Sequence, residues 1–241
     1  MYKNIEPFGY HILGDSIGES WISLVKCLLE KGENSRDEKR GRIALRNVRI
    51  KINKFDIPDE TLDKYADKEK IESIIYLTFK GEEMYDFDII PSFSAGPKSY
   101  YARLKEGKMV EYIIDRLSKI PESKKAVISF IDWKDYELVM ADHYDDYLPC
   151  ICNIQFRLIK ENSGWKMTTV LFARSMDGFQ KGAGNLLATA MLSQKVAKQI
   201  SKNLKVPVIC ESMDCFVTDI HIYEECINNA KEIIKKHDEN N

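Results

Sequence analysis

The stretch from Leu148 to Leu204 constrains the fold most. Leu148–Ile159 and Trp165–Ala173 read as two strands joined by the hairpin turn Lys160-Glu-Asn-Ser-Gly164. Leu186, Ala190, Leu192, Val196, Ala197 and Ile200 then recur at helical spacing, so Asn185–Leu204 is expected to be one long helix with a single apolar face. Val206–Ile222 returns to strand composition, and Glu224–Lys236 reads as a closing helix. A hairpin, a long helix and further strands in succession, without strict βαβ alternation, give a mixed α+β chain.

The N-terminal half is compatible with that class. Ser16 and Glu19 have capping-box spacing ahead of Trp21, Leu24, Val25, Leu28 and Leu29, which predicts an amphipathic helix stopped at Gly32. Glu33–Arg42 reads as a charged loop. Ile43–Ile52 reads as a strand whose alternation slips near Asn47. Lys54–Lys70 is polar and irregular or helical, and Ile71–Phe79 is apolar and rich in β-branched residues. Ile90–Ser99, with Pro91, Gly96 and Pro97, reads as a loop. Met109–Ile120 has helical spacing ended by Pro121, and Ala126–Trp133 reads as a buried strand.

With 241 residues and a 44% hydrophobic fraction, the chain can bury its own core, and one domain over 1–241 is expected. A formal net charge of −2 gives no basic field for nucleic acid or an anionic membrane surface. No apolar run has the length of a membrane span, and Met1–Tyr10 does not resemble an export signal. A cytoplasmic protein is expected. The six cysteines (Cys27, Cys150, Cys152, Cys210, Cys215 and Cys226) are then better read as free thiols than as disulfides. Their spacing lacks the paired C-x-x-C pattern of a zinc site, so no metal is expected.

One set of residues carries chemistry. Leu148-Pro149-Cys150 heads a strand, followed by Asn153-Ile-Gln155-Phe156. Arg174-Ser175-Met176-Asp177 comes next, then Gly184-Asn185, then Asp219-Ile-His221-Ile-Tyr223. In type and order these resemble the thymidylate synthase family: a Pro-Cys nucleophile, a Gln soon after, Arg-Ser-x-Asp, an Asn and a His-x-Tyr. The resemblance is strongest over Ser123–Glu224, weaker over Trp21–Ile52, and poor over Asn53–Gly96, where it is nearer the archaeal-type branch. It implies a three-layer α+β fold round a mixed sheet, and a homodimer with shared sites. It also implies a pyrimidine-nucleotide substrate, with 5,10-methylenetetrahydrofolate as one-carbon donor.

The chemistry explains the residue types. C5 of a uracil ring is a poor nucleophile until a thiolate adds at C6. Cys150 is the expected nucleophile. Cys152, two residues on and so on the same face of a strand, is the fallback. Both could instead be buried strand cysteines. Cationic neighbours favour a thiolate, and Arg174 would bridge it to the nucleotide phosphate with its bidentate fork. The resemblance makes Ser175 a further phosphate ligand and Gln155 a holder of the nucleotide network. Asp177 would meet the pterin or an ordered water, and His221 and Tyr223 the sugar 3′-hydroxyl. Asn185 can donate to O4 and accept from N3–H, the uracil edge, and can also serve as a helix N-cap. Lys124 and Lys125 stand where the family reaches across the dimer to the partner's phosphate. They could equally be a solvated charge run. Arg36, Lys39 and Arg40 occupy the loop where the family has one phosphate-binding Arg, and Arg40 is the preferred one.

Four features depart from the family. Its proton-relay glutamate is replaced, in Ser73–Gly81, by Tyr76 or Leu77, with Glu72 nearby. Ile151 follows the cysteine in place of His, the folate-lining tryptophans have no counterpart near Ile90–Ser99, and Lys235–Asn241 is polar where the family has an apolar terminus. The nucleotide side is therefore better kept than the folate side. Methylation of dUMP is the first expectation. Hydroxymethylation of a pyrimidine nucleotide is the second, and a nucleotide-binding homologue without turnover the third.

Overall fold

The computed structural model describes residues 2–5, 9–37, 40–91, 93, 96–141 and 147–240. Among the described residues nine strands form one sheet: β1 Tyr2–Ile5, β2 Gly9–Gly14, β3 Glu33–Arg36, β4 Gly41–Ile52, β5 Val127–Ser129, β6 Ile151–Glu161, β7 Gly164–Ala173, β8 Met176–Asp177 and β9 Val208–Tyr223. The main order is β1-β2-β4-β9-β7-β6-β5, with β3 on β4 and β8 on β9. The β2–β4, β7–β9 and β8–β9 pairs are parallel and the others antiparallel, so the sheet is mixed, as expected.

Helices α1 Ile17–Lys31, α2 Glu60–Tyr65, α3 Lys68–Phe79, α4 Tyr100–Glu106, α5 Met109–Lys119, α6 Trp133–Ala141, α7 Gly182–Leu204 and α8 Ile227–Glu239 complete the chain. The α1 cap is as expected, with Glu19 N donating to Ser16 Oγ at 3.2 Å. Trp21 is buried at the centre, its Nε1 donating to Gly178 O at 3.0 Å. Alternation along the strands defines a buried face through Ile154, Phe156, Met167, Leu171, Met213 and Cys215. On the opposite face Val127, Ile159, Phe172 and Phe216 are exposed.

Several elements differ from the sequence expectation. Part of the charged loop, Glu33–Arg36, pairs with Arg42 and its neighbours as a hairpin. The slip at Asn47 leaves the β4–β9 register unbroken, from Arg46↔Asp219 to Val48↔Val217. A left-handed Asn47, φ 55°, changes which side chains point inward instead. Ile71–Phe79 belongs to α3. The stretch Val206–Ile222 contributes one long strand, β9, running Val208–Tyr223. The buried strand expected to Trp133 ends at Ser129. Beyond it Asp132 Oδ1 accepts from Lys134 N at 3.0 Å and starts α6, whose Asp135 makes a buried pair with Arg103 of α4.

Candidate active site

Cys150 stands at the head of β6, half-buried. The backbone around it is fixed from two sides. Arg174 N donates to Cys150 O at 2.9 Å, and the Arg174 side chain donates from Nε to Pro149 O at 3.2 Å and from Nη2 to Leu148 O at 2.6 Å. Ile151 N donates to the Tyr100 hydroxyl at 3.1 Å. Burial, and then the neighbouring Cys150, push the Tyr100 phenol up, so it stays a neutral hydroxyl.

Arg174 and Ser175 owe their position to an interruption in the sheet. β7 and β8 are both parallel to β9 and in one register, Ala173↔Val217 and Met176↔Ile220. The two residues between them leave the ladder and turn into a cavity of about 860 Å³. Its wall includes Cys150, Arg174, Ser175 and Asp177, together with His221 and Tyr223 from β9 and Arg36, Arg40 and Arg42 from the β3–β4 hairpin. Arg36 and Arg174 carry no carboxylate partner among the described residues, which leaves them for an anion. Lys39 lies outside the described residues.

Arg40 is on the wall but already engaged. Its guanidinium lies 3.5 Å from the centroid of the Tyr223 ring, and Nη1 donates to Ile90 O and Glu225 Oε1 at 2.5 and 2.6 Å. It builds the wall more than it offers a free fork, although its buried Nε has no hydrogen-bond partner among the described residues. Arg42, which the sequence did not single out, pairs bidentately with Asp219 at 2.6 and 3.0 Å. His221 Nδ1 sits 3.1 Å from Arg42 Nη1 and 3.2 Å from Asp219 Oδ1, so that nitrogen is used internally. Burial opposes the Asp219 carboxylate, but His221 and Arg42 outweigh it and hold its pKa low.

Asp177 is less available than its place in the motif suggests. Its Oδ1 accepts from Phe179 N and Gln180 N at 2.9 and 2.8 Å, and Oδ2 accepts from Gln180 Nε2 at 2.9 Å. The carboxylate organises the turn into α7. Asn185 is not the helix cap: it is the fourth residue of α7, its N donating to Lys181 O at 2.9 Å. It lines a smaller apolar compartment, about 60 Å³, that shares Cys150, Asp177 and Lys181 with the main cavity. From α3, Ile74 and Leu77 line that compartment, while Tyr76 is exposed. α3 comes this close because a Cβ on Gly184 would meet Ile74 Cδ1 at 2.5 Å. Of the two residues weighed for the glutamate's place, Leu77 therefore faces Cys150 and Tyr76 does not.

Four expected residues lie elsewhere. Gln155 pairs with Val127 and Val170 on the outer sheet face, its Nε2 donating to Lys124 O at 3.0 Å. Lys124 and Lys125 are exposed and off both cavities. Cys152 lines neither. The register shift between Ile151 and Asn153 makes it the extra residue of a bulge and cancels the two-residue period that would put it beside Cys150. Burial raises the Cys152 thiol despite Arg174. The sequence missed Asp88, Phe93, Tyr147 and Lys181. Only Lys181 had a signal, four residues before Asn185 and so on the same helix face.

The family model described as thymidylate synthase matches residues 98–241. The chain belongs to the thymidylate synthase family. It is 25% identical, over 94% of its length and 98% of the relative's, to a putative thymidylate synthase of Methanothermobacter marburgensis. A thymidylate synthase of Lactococcus lactis is 24% identical over 57% of this chain and 46% of that one. The crystal structure of thymidylate synthase from T4 phage superposes with a TM-score of 0.61 at 20% identity, covering 88% of this chain and 79% of the other. The chain is thus a thymidylate synthase-like methyltransferase, in a family whose reaction is one-carbon transfer to C5 of a pyrimidine. No helix among the described residues is long and apolar enough to cross a membrane.

Proposed function

We propose that this chain methylates dUMP to dTMP, with Cys150 adding to C6 of the base. The observation that carries the proposal is the placement on one cavity wall of Cys150 and Arg174, an arginine with no carboxylate partner among the described residues, tied through the backbone. A phosphate on Arg174, Ser175 and Arg36 leaves the sugar for His221 and Tyr223. The base then falls toward the compartment where Asn185 waits, its amide suited to O4 and N3–H. Apolar Ile74 and Leu77 exclude water at the reacting edge.

Methylenetetrahydrofolate would supply the one-carbon unit. The residues fit such a group: Phe93 and Tyr147 offer aromatic faces on the main cavity, and buried Asp88 Oδ1 has no hydrogen-bond partner among the described residues, an acceptor suited to an amino-pyrimidine edge. Hydroxymethylation is favoured by one feature, the breadth of the main cavity beside Cys150, which admits water to the same face.

A homodimer joined through the outer sheet face is part of the proposal. Phe172 and Phe216, on neighbouring strands, are exposed there with Val127 and Ile159. Gln155 would then be an interface residue, and Lys124 and Lys125 would serve the partner's phosphate. Tritium release from 5-tritiated dUMP, with and without methylenetetrahydrofolate, tests the reaction, and the product mass separates methyl from hydroxymethyl. Absence of release with the donor present refutes both products.

A further inference from the structure

The compartment beside Cys150 contains an ammonium with no part in the mechanism so far. Lys181 lines both cavities, and its Nζ is 3.0 Å from Asp88 Oδ2 and 3.7 Å from Asp86 Oδ1. The rings of Phe87 and Phe93 flank it at 5.4 and 5.7 Å. Of the other polar groups around this compartment, Asn185 faces the base edge and two more are committed to the fold. Asp177 spends its oxygens on the turn into α7, and the Tyr100 hydroxyl accepts from Ile151 N. α3 offers only Ile74 and Leu77. Lys181 caps α7 and Asn185 is its fourth residue, and both line this compartment.

Resting on the proposed function, we propose that Lys181 is a catalytic residue: its ammonium holds O4 of the pyrimidine while Cys150 adds at C6. The step balances without a further reactant. The Cys150 Sγ–C6 bond forms, the C5–C6 π bond breaks, and its electron pair moves through C4 onto O4. There the negative charge meets the Lys181 N–H and the N-terminal end of α7. C5 then takes a proton from water. Reversal removes the original C5 hydrogen and expels the thiolate, so the net result is exchange of H5 with solvent.

Lys181 suits a fixed donor rather than a proton shuttle. Burial pulls its pKa down, but Asp88, Asp86, Cys150 and Asp177 outweigh that and leave it raised, so it is charged throughout the neutral range. Asp88, whose own carboxyl is raised by burial, aims the ammonium and reaches Arg40 Nη2 at 3.6 Å.

The test is deuterium incorporation at C5 of dUMP in D2O without any one-carbon donor, alongside dUMP affinity and thermal melting. Wild type should exchange and Cys150→Ser should not. An inert wild type overturns the role of Lys181 in this addition, while the proposed function stands or falls by tritium release with the donor present. Lys181→Met should lower the exchange rate about 100- to 1,000-fold, the range for losing one oxyanion donor. Its dUMP affinity should stay within about threefold, the mark of an interaction made in the transition state. An unchanged rate, or a loss of affinity in step with the rate, overturns the proposal. Because Lys181→Met removes the nearest cation from buried Asp88, the infrared C4=O stretch of bound dUMP gives a second readout in Cys150→Ser. It should lie below the free value there and return toward it in Cys150→Ser with Lys181→Gln, which keeps a hydrogen bond for Asp88. An identical stretch in both overturns the proposal independently of folding.

Discussion

Arg174 spends two of its five donors on the carbonyls of Leu148 and Pro149, and the rest remain for a ligand. One side chain thus fixes the approach to Cys150 and faces the cavity that an anion would fill. Cys152 has neither advantage, being bulged out and raised by burial. Cys150→Ser should therefore lower turnover by at least about 10⁴-fold while dUMP binding persists, since a hydroxyl at its ordinary pKa is a far weaker nucleophile. Cys152→Ser should stay within a few-fold of wild type. Steady-state rates and dUMP titrations decide this, and the reverse pattern would move the nucleophile. Asn185, freed from a capping role by its place inside α7, should be a reader of the base. Asn185→Asp replaces a donor by an acceptor. Relative affinity should shift from dUMP toward dCMP by about ten- to 100-fold, the worth of one or two hydrogen bonds. Equal loss for both nucleotides would leave Asn185 a packing residue. These residues were legible in the sequence because their chemistry is local. Asp88 carried no signal, and Lys181 only its spacing from Asn185, since the two meet only when the 80–91 segment folds over the start of α7.

At the scale of elements, the hairpin β6–β7, the capped α1 and the long α7 follow from turn chemistry, capping and periodicity, and all three lie where the sequence put them. The misreadings occur where tertiary contacts override local pattern. Ala126–Trp133 looks like one buried strand, yet Arg103 and Asp135 redirect the chain after Ser129. Their side chains are 9% and 6% exposed and joined at 2.7 Å in both arms, and Arg103 also donates to Phe130 O at 2.7 Å. Asp135→Asn should cost about 3–5 kcal/mol, the penalty for stranding one member of a buried pair. Denaturant melts would measure it, and a cost under about 1 kcal/mol, as for a surface pair, would refute the assignment. The pH dependence has a definite sign. Burial opposes the Asp135 carboxylate, but the Arg103 and Asp132 contacts hold its pKa below the usual value near 4. Its stabilisation is complete above that value and fades as pH falls through the depressed one, so wild type and Asp135→Asn should converge in acid.

On the scale of the whole molecule, the unanswered element is the outer sheet face, where Phe172 and Phe216 lie side by side in the β7–β9 register. An exposed pair of aromatic rings on an open sheet face is where a second copy would pack. Two-fold packing there would also give Lys124 and Lys125 a role, because they flank β5 on the rim of the same sheet and away from their own cavity. Mixed dimers separate this from a solvated charge run. One subunit carries Arg174→Ala, the other Lys124→Ala with Lys125→Ala, and each parent homodimer should be impaired. In the heterodimer one site receives every substitution and the other receives none. Activity should return to about half of wild type per dimer, as the two-fold axis requires. Parents that remain dead after mixing, with heterodimer formation verified by differential tagging, would rule out a shared phosphate site. An unimpaired lysine parent would return Lys124 and Lys125 to the solvent. Phe216→Lys adds a check that does not depend on catalysis. It places like charges across the axis, so sedimentation should show monomer, and turnover should fall with dimer content if each cavity needs its partner's lysines.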